Sequence, residues 1–292
     1  MIIVRMFGGL GNQMFQHAAG IAFAHHHKCE LLWDLSTFER VGSQRSFELE
    51  QVFGLATKNA DESALHFVLG WRGHHTVRVA IENDRLSRLR PKTYIQEPHF
   101  QYWAGFFLVP ENVYLDGYWQ SEKYFERISD VIRDAFTFSL PMSDRNQALA
   151  EKIDTCNSVS VHVRRGDYIT NPAASQFHSC CTLEYYMMAM QKMLDRVGNA
   201  HFFIFSDDPE WVKANLVLPA PCTYIQHNQG TASYRDMQLM SLCHNHIANS
   251  SFSWWGAWLS VVPGKMVIAP KQWFKKSIID TSDLYCSEWI QL

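Results

Sequence analysis

The sequence predicts an α/β protein built on doubly wound parallel sheets. Three observations carry that prediction. The chain opens with a strand, a glycine-rich turn, a helix and a second strand. Its second half alternates strands and helices. Those later strands end in polar clusters, which a single parallel sheet would gather along its carboxyl edge. With 292 residues the chain can bury a large core and form two domains.

Ile2 to Phe7 reads as a short buried strand and Gly8-Gly9-Leu10-Gly11-Asn12-Gln13 as a turn. Met14 to His26 then carries Phe15, Ala18, Ala19, Ala22 and Phe23 at helical spacing, and Leu31 to Trp33 is the next strand. From about Gly42 to Pro110 the pattern is less regular. Val113 to Leu115 is a strand, followed by helices running to about Ile153 and broken by Pro141. The second half is clearer. Val159 to Val163 is a strand; Leu183 to Val197 is a helix with Thr182 as N-cap and Gly198 as stop. Strands follow at His201–Phe205, Thr223–Gln226, His246–Ala248 and Met266–Ile268. Helices open at Pro209, span Tyr234 to Cys243, and span Trp254 to Ser260.

The chemistry concentrates where these strands end. In His162-Val163-Arg164-Arg165-Gly166-Asp167 two cations and a carboxylate close an apolar strand. Adjacent strand residues point to opposite faces, so only one arginine can aim at a ligand while the other packs or pairs. Arg165, nearer the turn, is read as the phosphate ligand, since a guanidinium offers a planar fork to an anion. His162 shares a face with Arg164 and is either a satisfied core histidine or a nucleotide contact. In Ser206-Asp207-Asp208-Pro209, Asp208 is an N-cap with proline at the first helical position. Asp207 has no capping role; it either pairs structurally or accepts two N–H groups of a guanine. Asn249-Ser250-Ser251-Phe252-Ser253 sits at a strand-to-helix junction, where hydroxyls and open backbone N–H groups suit a phosphate. Trp254, Trp255 and Trp258 are read as core. Gly9 permits close backbone approach, and Asn12 and Gln13 offer amides to sugar hydroxyls. Met14 occupies the third glycine position of GxGxxG, so a nicotinamide cofactor is not indicated. No Asp-x-Asp pair exists to grip a divalent ion, so no metal is expected; an arginine and a helix N-terminus take its place.

Net charge is 26 − 29 = −3, with 47% hydrophobic and 19% charged residues. That balance gives no field for nucleic acid. Arg85, Arg88, Arg90 and Lys92 form the densest basic cluster and read as a solvated helix end; contact with anionic lipid or an acidic acceptor is the second option. The seven cysteines lack CxxC spacing, which suits reduced thiols. Met1-Ile2-Ile3-Val4-Arg5 leads straight into a strand without a signal peptide, and no apolar run reaches membrane-span length. A cytoplasmic protein, peripheral to the inner membrane face at most, is the expectation.

Together these motifs resemble one family, the inverting α-1,2-fucosyltransferases. The matching segments are Gly8 to Gln16, Leu115-Asp116-Gly117-Tyr118-Trp119-Gln120-Ser121, His162 to Tyr168, Phe205 to Asp208 and Asn249 to Gly256, in the family's order. The resemblance implies a GT-B fold, with two Rossmann-like domains facing across a cleft: residues 1–150 on the acceptor side and 151–292 holding GDP-fucose. It implies Arg165 on the β-phosphate, Asp207 on the guanine and Ser250 to Ser253 on the diphosphate. Asp167 is then the general base, because Ile169-Thr170-Asn171 offers none. The implied activity is metal-independent transfer of L-fucose, with inversion, to the 2-hydroxyl of a terminal β-galactoside on an oligosaccharide or glycolipid such as an O-antigen. The competing readings are a GT-B transferase of another linkage, such as α-1,6, and a non-catalytic carbohydrate-binding protein, for which the 14% of aromatic residues argue.

Overall fold

The structure, a computed structural model, describes residues 1–40, 45–56, 58–166, 181–217, 219–275 and 279–292. The chain divides into two compact units, Met1–Ser139 with Ser282–Leu284, and Leu140–Thr281 with Tyr285–Leu292.

The first unit contains β1 (Ile2–Arg5), α1 (Leu10–His27), β2 (Leu31–Asp34), α2 (Leu49–Phe53), α3 (Glu62–Leu69), α4 (His75–Ile81), β3 (Tyr94–Gln96), β4 (Val113–Asp116) and α5 (Ser129–Ala135). Its four strands are all parallel, in the order β2-β1-β4-β3. Helix α1 begins at Leu10, four residues ahead of the expected Met14. Gly8 takes the sharp reversal at φ +82°, which a side chain would resist, and Gly9 is the N-cap in extended conformation. Gly11, Asn12 and Gln13 therefore lie in the first helical turn. Helix and sheet lie close: a Cβ at Gly20 would stand 2.9 Å from a Val4 methyl. In the middle of the chain, expected to be irregular, α2, α3, α4 and β3 are too short for periodicity to declare them.

An ion pair is buried beside β2. The Arg78 Nε lies 2.8 Å from the Asp34 carboxylate, both side chains at most 5% exposed. The Tyr114 hydroxyl donates to the same carboxylate at 2.6 Å and Arg78 donates to the Gly73 carbonyl at 2.7 Å. Arg90, read with the basic cluster, turns inward instead and donates to the carbonyls of Ile81 and Glu82.

The second unit contains α6 (Asp144–Asp154), β5 (Asn157–Val163), α7 (Leu183–Val197), β6 (Ala200–Ser206), α8 (Pro209–Asn215), β7 (Cys222–Ile225), α9 (Tyr234–Leu242), β8 (Asn245–Ile247), α10 (Ser251–Leu259), β9 (Val267–Ala269) and β10 (Ile290–Gln291). The sheet is again parallel, in the order β10-β9-β8-β5-β6-β7. The units divide at Ser139–Leu140, earlier than residue 150, because Leu149, Ala150 and Ile153 of α6 pack with Phe203, Leu239 and Met240 of the second unit. Strand β5 has two distinct faces. Val159, Val161 and Val163 join the core under α7 and α8, while Ser158, Ser160 and His162 face the other way. Thr182 caps α7 and Gly198 ends it, as expected. Trp254, Trp255 and Trp258 are buried in the core, also as expected.

The Asp34–Arg78 pair yields a stability test. Asp34→Ala leaves Arg78 buried without a counter-charge and should cost the first unit about 3–5 kcal/mol in urea unfolding. Asp34→Leu with Arg78→Met should recover most of that loss. Equal losses in the single and double variants would show that the ion pair itself stabilises the unit.

Candidate active site

In the second unit the strand order reverses at β5. The chain runs from β5 to β6 and β7 on one side, then returns to β8 and β9 on the other. At such a reversal the loops leaving adjacent strands diverge, and a crevice opens outside their carboxyl ends. Three polar clusters meet there: Arg164 and Arg165 after β5, Asp207 and Asp208 after β6, and Asn249 to Ser253 after β8.

Asp207 joins the first two. Its Oδ1 accepts the Arg165 backbone N–H at 2.8 Å and its Oδ2 lies 3.0 Å from the Arg164 Nη1. Gly166 leaves room for this carboxylate, since a Cβ there would stand 2.9 Å from Oδ2. Ser206 fixes the approach: its hydroxyl donates to the Val163 carbonyl at 2.8 Å and accepts the Asp208 N–H at 3.0 Å. Asp208 caps α8 as expected, accepting the Trp211 N–H at 3.3 Å with Pro209 following.

The two arginines part company. Arg164 lies on the His162 face of the strand with Asp207. Arg165 lies on the opposite face, its guanidinium over the Trp211 ring at 3.4 Å from the centroid and its Nε 3.4 Å from Asp208. A cation over an aromatic face beside a carboxylate is a settled packing position. Asp207 thus engages Arg164, whose charge acts on His162, while Arg165 turns to Asp208 and Trp211. Trp211, which the sequence did not single out, is what turns Arg165 away.

The expected phosphate serines are engaged locally. Ser250 caps α10, and Ser250 and Ser253 form a reciprocal capping box. Ser253 Oγ also receives the N–H groups of Asn249 and Ser250, at 3.0 and 3.2 Å. His162 Nδ1 sits 3.1 Å from both hydroxyls. Burial, with Arg164 adding to it, pushes the His162 pKa down to about 4, so the ring is neutral at pH 7. The groups that α10 presents outward are the first-turn N–H groups of half-buried Ser251 and Phe252, which have no carbonyl within the helix to receive them. Asp167 lies outside the described residues.

In the first unit, Gln13 is fully buried. Its Nε2 donates to the carbonyls of Gly8 and Ser46 at 3.0 and 2.9 Å, and its Oε1 accepts the Glu48 N–H at 2.9 Å. Its amide straps the Gly8 turn to the Ser46–Glu48 segment. The Asn12 Oδ1 accepts from Gln120 at 2.7 Å, and its Nδ2 lies against Gly8, where a Cβ would come within 2.7 Å. Gly9 is half-buried, with Arg45 as the nearest side chain to its open side. The sequence also passed over Glu97, one residue past β3. Its carboxylate accepts the N–H groups of Tyr118 and Trp119 at 2.7 and 3.0 Å.

Residues 73–292 match the family model described as Glycosyl transferase family 11. An α-1,2-colitosyltransferase of Escherichia coli is 33% identical over all of this chain and 99% of its own length. The Escherichia coli O-antigen biosynthesis glycosyltransferase WbnK is 32% identical over 98% of each. Among solved structures, NodZ α-1,6-fucosyltransferase soaked with GDP-fucose superposes with a TM-score of 0.55 at 17% identity, covering 88% of this chain and 92% of that one. Among the described residues, no helix is long and apolar enough to cross a membrane.

The buried His162 makes stability depend on acid. Its folded pKa of about 4 lies below the ordinary value near 6.5. As pH falls the unfolded chain takes up the proton first, so stability is intact above about 6.5 and declines between 6.5 and 4, by about 3 kcal/mol in full. The second unit's urea midpoint should drop accordingly from pH 7 to pH 4.5. His162→Gln, which can still bond both serines, should shrink that drop, and an unaltered drop would remove His162 as its source.

Proposed function

Because the chain belongs to glycosyl transferase family 11 and has the GT-B architecture, we propose that it transfers L-fucose from GDP-β-L-fucose to the 2-hydroxyl of a terminal β-galactoside. The acceptor O2 attacks C1 of fucose in line. The C1–O bond to the β-phosphate breaks, GDP departs with the electron pair, and an α-fucoside forms with inversion. One observation carries this reading: Arg164, Asp207, His162 and the first turn of α10 converge where the second sheet's strand order reverses. A guanidinium and two backbone N–H groups there suit the growing charge on a departing diphosphate.

Arg164 is the phosphate ligand in this mechanism. Supporting it over Arg165 is the face it shares with His162 and α10, against the packing of Arg165 on Trp211. Asp207 orients Arg164, as both its oxygens are already engaged. Asn12, on the first unit, is a sugar-hydroxyl ligand. Asp167, two residues past the arginine pair, takes the acceptor proton. No metal is required, since the sequence has no Asp-x-Asp pair and Arg164 supplies the charge.

The α-1,2 linkage of the colitosyltransferase relative favours a second donor reading, because colitose is fucose without its 3-hydroxyl. Comparing kcat/KM for GDP-fucose and GDP-colitose on a β-galactoside decides between the two, and NMR of the product reads the linkage. The O-antigen role of WbnK points the acceptor search toward bacterial surface glycans.

Arg164→Ala should lower kcat by roughly 10²–10³ with the fold retained. Arg165→Ala should chiefly lower stability, by about 1–2 kcal/mol for a partly desolvated cation–π contact. The reverse pattern would return the phosphate role to Arg165. Calorimetry should show GDP binding and no UDP binding, and turnover should persist in EDTA. Loss of turnover restored by Mg²⁺ or Mn²⁺ would end the metal-free mechanism.

A further inference from the structure

The first unit has a strand reversal of its own. In the order β2-β1-β4-β3, the chain leaves β1 toward β2 on one side and comes back to β3 and β4 on the other. The loops leaving β1 and β4 therefore diverge, and a crevice opens outside their carboxyl ends. Each of these loops carries an aromatic ring two residues past its strand: Phe7 after β1 and Tyr118 after β4. The rings meet edge to face at 4.8 Å, and the Arg5 guanidinium covers Phe7 at 4.7 Å. Tyr118 still keeps 40% of its surface exposed.

Tyr118 is held there with some rigour. Its N–H and that of Trp119 are bonded to the Glu97 carboxylate. Gly117 has to be a glycine, because a Cβ would collide with Glu97. Trp119 accepts a left-handed backbone at φ +56° while its side chain is fully buried. Loops seldom hold a half-exposed ring in this way unless the ring has a use. A rigid aromatic face beside polar groups, in a crevice at a strand reversal, fits a neutral pyranose with one apolar face.

We propose that Phe7 and Tyr118 form the acceptor subsite, with the apolar face of a terminal β-galactoside stacked on Tyr118 and Glu97 acting as a positioning residue for that ring. The identity of the sugar rests on the transferase reading; the platform does not. Burial holds the Glu97 carboxyl up at about 7, with Asp116 adding to the effect and the two N–H bonds opposing it. The titratable groups around Glu97 are Asp116, Tyr118 and Tyr124, and Arg5 pairs with Asp116. Only the ionised carboxylate receives both N–H groups, so the loop loosens as pH falls through about 7.

The direct test needs no donor. Saturation-transfer NMR of methyl β-D-galactoside on the full chain should mark the ring protons H3, H4 and H5 most strongly. The signal should vanish in Tyr118→Ala and survive in Tyr118→Phe. An equal signal in wild type and Tyr118→Ala overturns the platform. With GDP-fucose present, Tyr118→Ala should raise the acceptor KM about tenfold, equivalent to 1.4 kcal/mol, with GDP affinity unchanged by calorimetry. Wild-type fucosyl transfer with an unmoved acceptor KM in Tyr118→Ala would sink the platform alone. Failure of wild type to bind GDP would sink the transferase reading, and the galactoside NMR would still decide the platform. For Glu97, the wild-type acceptor KM should rise as pH falls from 8 to 6. Glu97→Gln should show a raised KM that no longer depends on pH, and a wild-type profile in that variant overturns the positioning role.

Discussion

The Asp207 carboxylate holds the carboxyl edge of the second sheet together. It takes the Arg165 backbone N–H on one oxygen and the Arg164 guanidinium on the other. The backbone bond fixes how the chain leaves β5, and the ion pair fixes which way Arg164 points. Two consecutive cations at the end of a buried strand would repel each other and face heavy desolvation if left alone. Asp207 and Asp208 resolve this by drawing the guanidinium groups to opposite faces, each with its own carboxylate. Gly166 is part of the same arrangement, since any side chain there would press on Asp207. The capping box of α10 joins the same edge through its contact with His162.

The first unit repeats this logic with other residues. Its central parallel strands β1 and β4 are buried on both faces, so polar groups are displaced to the strand ends. Arg5 closes β1, Asp34 closes β2 and Asp116 closes β4, while Glu97 stands just past β3. Arg5 pairs with both Asp116 and Glu82, and the Tyr94 hydroxyl donates to Asp116. In each unit a carboxylate next to the strand reversal receives backbone N–H groups from a neighbouring loop: Asp207 from Arg165, and Glu97 from Tyr118 and Trp119. The loop is thereby fixed before any ligand arrives, which reduces the ordering cost of binding.

Much of this was legible in the sequence, and the failures have identifiable causes. The valine alternation of β5 and the caps of α7 are local signals, and both elements appear where expected. Helices α1 and α10 begin four and three residues ahead of the starts their sequences suggest, because Gly9 and Ser250, which look like loop residues, are N-caps. Strands β3 and β10 have three and two residues and no readable period. The bonds that engage the Gln13 amide come from Ser46 and Glu48, more than thirty residues away, so no local signal announces them. Glu97 gave no signal because its partners are backbone N–H groups twenty-one and twenty-two residues on, and any sequence supplies those.

The arginine pair shows most clearly where sequence reasoning ends and packing begins. Alternation requires that Arg164 and Arg165 face opposite ways, but not which way leads to the ligand. Proximity to the turn favoured Arg165. What settles its direction is Asp208, the N-cap of α8. An N-cap carboxylate uses one oxygen on the helix N–H and leaves the other to a neighbour, here the Arg165 Nε. With Trp211 one turn into the same helix, the cap becomes a dock for a guanidinium. Arg164 is thereby left with Asp207, and the strand end that reads as one cationic site separates into two arginines, each with its own carboxylate.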